Sequence, residues 1–116
     1  MDFPEVNRAA DQLMAAIRET ETYREYQALR ESVMGDAESR ALLRRYSQAQ
    51  SGLQMAALAG MEPRQEDVEA FERLSALLYA DDLLTDYLLA KMKVQKLVAG
   101  LLERITQEVG LDVPIS

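Results

Sequence analysis

Residues 82–109, DLLTDYLLAKMKVQKLVAGLLERITQEV, constrain the fold of this chain more than any other stretch. The run holds no proline and one glycine, Gly100, so it reads as a single unbroken helix. At about 1.5 Å per residue that helix is roughly 40 Å long. A compact domain of this chain length has a radius of gyration of about 13 Å, so the helix is as long as the body that should hold it. Its apolar residues also take half of the helical circumference. Val94, Leu97, Leu101, Tyr87, Ile105 and Val98 lie in the centre of this arc, with Leu84, Leu88 and Leu102 at one side. A helix packed on one globule needs an apolar stripe only somewhat over about 100° wide. The pattern therefore predicts a second neighbour for this helix, supplied by another subunit.

The rest of the chain also reads as helix. Val6, Ala10, Leu13 and Ile17 recur at helical spacing and predict a first helix over 4–19, with Pro4 in its opening turn. Thr22-x-x-Glu25 has the form of a capping box and predicts a second helix over 22–34, ended by Gly35 in a left-handed turn. Asp36 caps a third helix over 37–59, along which Leu42, Tyr46, Ala49, Leu53, Ala56 and Gly60 form a heptad-like seam. The small members of that seam, Ala49, Ala56 and Gly60, leave room for a neighbouring backbone. Pro63 opens a fourth helix over 63–79, and Asp81-Asp82 caps the fifth. The expected fold is all-α: one domain over 1–116 with five helices. The two long ones, about 37–59 and 82–109, lie in an elongated antiparallel bundle completed by oligomerisation.

Composition removes much of the enzyme repertoire. Cysteine and histidine are absent. Thiolate catalysis, cysteine-ligated metals and histidine general bases are therefore unavailable to this chain. The net charge of −7 disfavours direct nucleic-acid binding by charge attraction, which needs clustered Lys and Arg. The amino terminus shows no signal core and no run is long enough for a membrane span, so a cytoplasmic protein without membrane insertion is expected. Residues 62–86 hold eight acids against Arg64 and Arg73, and so carry most of the negative charge. Acids at helix starts stabilise the helix dipole, which accounts for this segment more simply than a metal site does. Arg40, Arg44 and Arg45, and likewise Lys91, Lys93 and Lys96, are read as solvated turns.

No catalytic, cofactor-binding or metal-ligating residues stand out. The candidate functional residues are instead those of an oligomer or partner interface: Leu42, Tyr46, Ala49, Gln50, Leu53 and Ala56 on the third helix, and Tyr87, Val94, Leu97 and Leu101 on the fifth.

Several features recur in a recognisable order: Thr20-x-x-Tyr23-x-x-Tyr26, then Asp36 before a helix carrying Tyr46-x-x-x-Gln50, then Gly60, then Asp82-x-x-x-x-Tyr87-x-x-Ala90. Over residues 3–108 the chain resembles the YlbF/YmcA family of small bacterial helical regulators, the group that includes YheA-like proteins. The resemblance implies an all-helical protein that self-associates through long helices. It implies a non-enzymatic regulator of competence, sporulation and biofilm formation, acting on mRNA processing through a complex with the membrane-anchored endoribonuclease RNase Y. The expected partners are the chain itself, RNase Y and other family members. Some family complexes carry iron–sulfur clusters on cysteines; this chain has no cysteine, so no cofactor is expected. Two other readings are a structural or chaperone-like helical oligomer and a small chorismate-mutase-like helical enzyme. The latter requires a pocket with convergent cations, for which Lys91 in the apolar arc is the first candidate.

Overall fold

The computed structural model describes residues 2–111, and the outermost residues of the domain expected over 1–116 lie outside that range. Five helices follow one another: α1 (Pro4–Arg18), α2 (Glu21–Met34), α3 (Ala37–Leu58), α4 (Gln65–Tyr79) and α5 (Asp82–Glu108). There is no strand among the described residues. The fold is all-α, as the spacing predicts, and α5 is continuous through Gly100.

The helix ends show why the chain breaks where it does. Thr20, not Thr22, caps α2. Its Oγ1 accepts from the Tyr23 N–H at 3.1 Å and donates to the Ile17 carbonyl at 2.6 Å, so one hydroxyl closes α1 and opens α2. The expected capping box at Thr22 gives way because Thr20 serves both ends at once. Asp36 caps α3 as expected, accepting from the Ser39 N–H at 3.3 Å and from the Ser39 hydroxyl at 2.5 Å. Asp81 does the same for α5 through the Leu84 N–H at 3.0 Å. α4 starts at Gln65 rather than 63, since Arg64 keeps extended backbone as its cap.

Two glycines depart from the roles the sequence assigns them. Gly35 is not left-handed. Its N–H instead continues the last turn of α2 to the Glu31 carbonyl at 2.9 Å, and a Cβ there would sit 3.2 Å from that oxygen. Gly60 lies open, with nothing within 4 Å of where a Cβ would be, so it does not serve close helix approach. Its φ of 70° turns the chain at the end of α3 and lets the Met61 N–H reach the Ala56 carbonyl at 2.9 Å.

Contacts divide the chain into two compact units, Ala28–Leu88 and the pair of segments Met1–Gln27 with Leu89–Ser116. The first unit contains α3, α4 and the adjoining turns of α2 and α5. Val33, Leu78 and Leu84 are fully buried there, with Tyr87 and Ser39 nearly so. The Thr85 hydroxyl donates to the Tyr79 carbonyl at 3.3 Å and ties the end of α4 to the start of α5. The second unit contains α1, the start of α2 and the remainder of α5. Ala90 is its one buried residue among those described.

Candidate interaction surface

The α3 seam faces α4 within its own unit. Tyr46 stacks on Phe71 with ring centroids 5.2 Å apart and planes inclined by 26°. Burial, and then a hydrogen bond with the Tyr79 hydroxyl, raise the pKa of the Tyr46 phenol. Ala49 and Leu53 line a cleft of about 200 Å³ with Gln48, Gly52, Asp67 and Ala70. Leu42 and Ala56 are half-buried, Gln50 is exposed, and Tyr87 belongs to the buried core. Most of the apolar surface expected on the long third helix is thus turned toward other residues of the same chain.

The second unit is different. Here α1 and α5 meet along two shallow grooves. One, of about 330 Å³, is lined by Leu13, Leu101, Arg104, Ile105, Glu108 and Val109. The other, of about 240 Å³, is lined by Met14, Ile17, Arg18, Tyr23, Val94 and Val98. Val94, Leu97 and Leu101 are half-buried, yet large apolar side chains around them remain in solvent. Val6, Leu13 and Met14 on α1 are 63, 39 and 44 % exposed; Val98, Leu102, Ile105 and Val109 on α5 are 48, 62, 51 and 63 % exposed. Two paired helices cannot enclose a core, because each has more apolar circumference than one neighbour covers.

This face combines the candidate interface residues Val94, Leu97 and Leu101 with Val98, Leu102 and Ile105, which the sequence places in the same apolar arc, and with Val109 and α1 side chains. The signal for Val109 is present in the sequence: it continues the heptad spacing of Lys91, Gln95, Val98, Leu102 and Ile105. That spacing is masked by the broader apolar arc in which it lies. The end of α1 is fixed beside this face by Thr20, by an ion pair of 2.7 Å between Arg24 and Glu19, and by tilted packing of Tyr23 on Tyr26 with centroids 6.1 Å apart.

Chemistry is sparse around these helices. Among the described residues no three or more acidic side chains converge as metal ligands would. Each α1–α5 groove holds a single cation, Arg104 or Arg18, and Lys91 is exposed. No helix among the described residues is long and apolar enough to cross a membrane.

Comparison with known proteins agrees with the order of motifs. The family described as "Control of competence regulator ComK, YlbF/YmcA" matches residues 6–110. The chain belongs to the YlbF/YmcA family. A UPF0342 protein of Symbiobacterium thermophilum is 31 % identical over 107 residues, which is 92 % of this chain and 96 % of that one. A solved structure from Bacillus stearothermophilus, described as a protein of unknown function (DUF964), superimposes with a TM-score of 0.75. It covers 91 % of this chain and 93 % of its own at 17 % identity, and so supports the shared helical fold of the YlbF/YmcA protein.

Proposed function

We propose that this YlbF/YmcA protein is a non-enzymatic, cytoplasmic regulatory adaptor that assembles with itself and acts by contact with other proteins. The carrying observation is the uncovered apolar face of α1 and α5, with Val6, Leu13, Met14, Val98, Leu102, Ile105 and Val109 all substantially exposed. A contiguous apolar surface of this kind marks an interaction site. Burying one large aliphatic side chain is worth about 1.5–3 kcal/mol, so several together can outweigh the cost of association. Val94 and Leu101 line the grooves of that face and Leu97 is half-buried on the same helix, while the α3 residues Leu42, Tyr46, Ala49, Leu53 and Ala56 belong to the other unit. Gln50 and the exposed end of α3 remain open to a further partner.

The family description supports a regulatory role. The physiological target in this reading is RNase Y-dependent mRNA processing, as the motif resemblance implies. The test has two parts. Sedimentation equilibrium should give twice the monomer mass or more. Affinity capture from the native host should recover RNase Y or other family members. A monomer at micromolar concentration that recovers neither overturns the reading. A chaperone-like holder draws support from the same exposed surface; it predicts suppression of aggregation of unrelated unfolded proteins, which an adaptor does not show.

A further inference from the structure

We infer that the cleft between α3 and α4 takes an arginine side chain of a partner protein, paired with Asp67, while apolar residues beside that arginine cover Met55, Leu58 and Met61. The inference rests on the adaptor reading in taking the occupant to be another protein. It uses a site in the Ala28–Leu88 unit and nothing of the α1–α5 face.

Size sets the class of occupant. The cleft measures about 200 Å³, below the roughly 300–1,000 Å³ of pockets that hold whole small molecules. It has room for one long side chain. Small residues make that room. Ala49 and Ala70 line the cleft from the two helices, and Gly52 has nothing within 4 Å of where a Cβ would be.

The lining sets the chemistry. Asp67 is the one charged group lining the cleft, and Gln48 on the facing helix supplies an amide. A guanidinium carries five donors in a planar fork and is more weakly hydrated than an ammonium, so arginine serves a carboxylate and an amide oxygen together better than lysine does. Arg64 already approaches Asp67, but its Nε stands 3.5 Å away and the two side chains are 79 and 55 % exposed. Such a contact contributes little and yields to a better-aligned fork.

The surroundings favour the same sign. Residues 46–58 carry no charge, whereas residues 59–72 hold Glu62, Glu66, Asp67, Glu69 and Glu72 against Arg64 alone. Arg45 and Arg73 lie about one turn beyond the cleft, on the side away from the α3–α4 turn, so the occupant's cation belongs at the Asp67 end. A second copy is a poor occupant, because its net charge of −7 opposes an acidic site. Recognition also extends past one side chain. Met55, Leu58 and Met61 are 67, 85 and 66 % exposed at the end of α3 and in the turn after it. Met55 follows Gly52 by three residues and so adjoins it along the helix surface. Unbranched methionine side chains adapt to varied apolar partners.

The test starts from random twelve-residue peptides displayed on phage and selected against the full chain. Enriched sequences are synthesised and their affinity is measured by fluorescence anisotropy. They should carry an arginine beside apolar residues. Binding should weaken about tenfold or more on Gly52→Leu, which fills the cleft, and on Asp67→Asn, which removes its charge. Citrulline in place of the peptide arginine keeps the shape, removes the charge and should weaken binding equally. Combined with Asp67→Asn it should add little, since both changes remove one pair. Circular dichroism checks that the variants fold, and Asp67→Asn, at an exposed side chain, keeps the test decisive if Gly52→Leu does not. Enriched peptides without arginine overturn the occupant. Peptides that bind Asp67→Asn as tightly as wild type overturn the cleft, and a selection that enriches nothing overturns the docking site. Each of these failures leaves the adaptor reading to its own sedimentation and capture measurements.

Discussion

At the residue scale, a few short polar side chains fix where the helices stop. Thr20 serves two backbone groups with one hydroxyl, accepting from Tyr23 and donating to Ile17. Thr20→Val keeps the shape and removes both bonds, so it should destabilise the chain by about 1–2 kcal/mol, the usual cost of a lost helix cap. Urea denaturation measures this directly, and an unchanged midpoint would show that Thr20 is not the junction. Asp36 gives a pH-dependent counterpart. The Ser39 hydroxyl, then the Ser39 and Glu38 backbone N–H groups and nearby Arg40, hold its pKa below the ordinary 3.8 against an opposing desolvation contribution. A carboxylate with a depressed folded-state pKa contributes stability that is present above its unfolded value and is lost as pH falls through the folded one. The advantage of wild type over Asp36→Asn should therefore hold at neutral pH and disappear below pH 3.8. Paired urea midpoints across the acid range check the sign; an advantage that grows on acidification contradicts it.

At the element scale, three glycines in or beside long helices should respond oppositely to one substitution. Gly52 in α3 and Gly100 in α5 have ordinary helical backbone and nothing within 4 Å of where a Cβ would be. Alanine at either should stabilise by about 0.5–1 kcal/mol, because glycine loses more backbone freedom on helix formation. Gly60 has φ 70°, where an L side chain meets its own backbone. Gly60→Ala should cost about 1–2 kcal/mol, the penalty of the left-handed conformation. Thermal melts of the three variants test the signs together. This contrast also shows what was legible in advance. Helix number, the caps at Asp36 and Asp81 and the continuity of α5 follow from local spacing, and local spacing is what a sequence displays. The handedness at Gly35 was not legible, because either conformation ends a helix and the choice depends on how the next turn packs. Which α3 residues face inward was equally hidden. A heptad seam looks the same whether its partner is α4 or another chain, and the stacking of Tyr46 on Phe71 resolves it only in three dimensions.

At the scale of the whole molecule, the two units differ in how far each covers its own apolar surface. Ala28–Leu88 encloses Leu78 and Leu84 completely while leaving Met55, Leu58 and Leu77 exposed, whereas the unit of α1 and most of α5 has Ala90 as its one buried residue among those described and leaves its large aliphatic side chains in water. Substitutions in the two places should therefore fail in different ways. Leu78→Ala opens a cavity inside the folded chain and should cost about 2–5 kcal/mol at every protein concentration. Leu102, 62 % exposed within the chain, adds little to the fold of one copy. If copies assemble through this exposed face as proposed, Leu102→Asp places an unpaired charge in their contact and should abolish assembly. Binding confined to the folded state makes the melting temperature rise with concentration. Wild type should show that rise, Leu78→Ala should keep it from a lower starting temperature, and Leu102→Asp should lose it with its helical content unchanged. Melting followed by circular dichroism over a hundredfold dilution series separates the three. A wild-type melting temperature that ignores concentration, together with a monomeric mass, would mean that α1 and α5 tolerate their exposed face without a second copy.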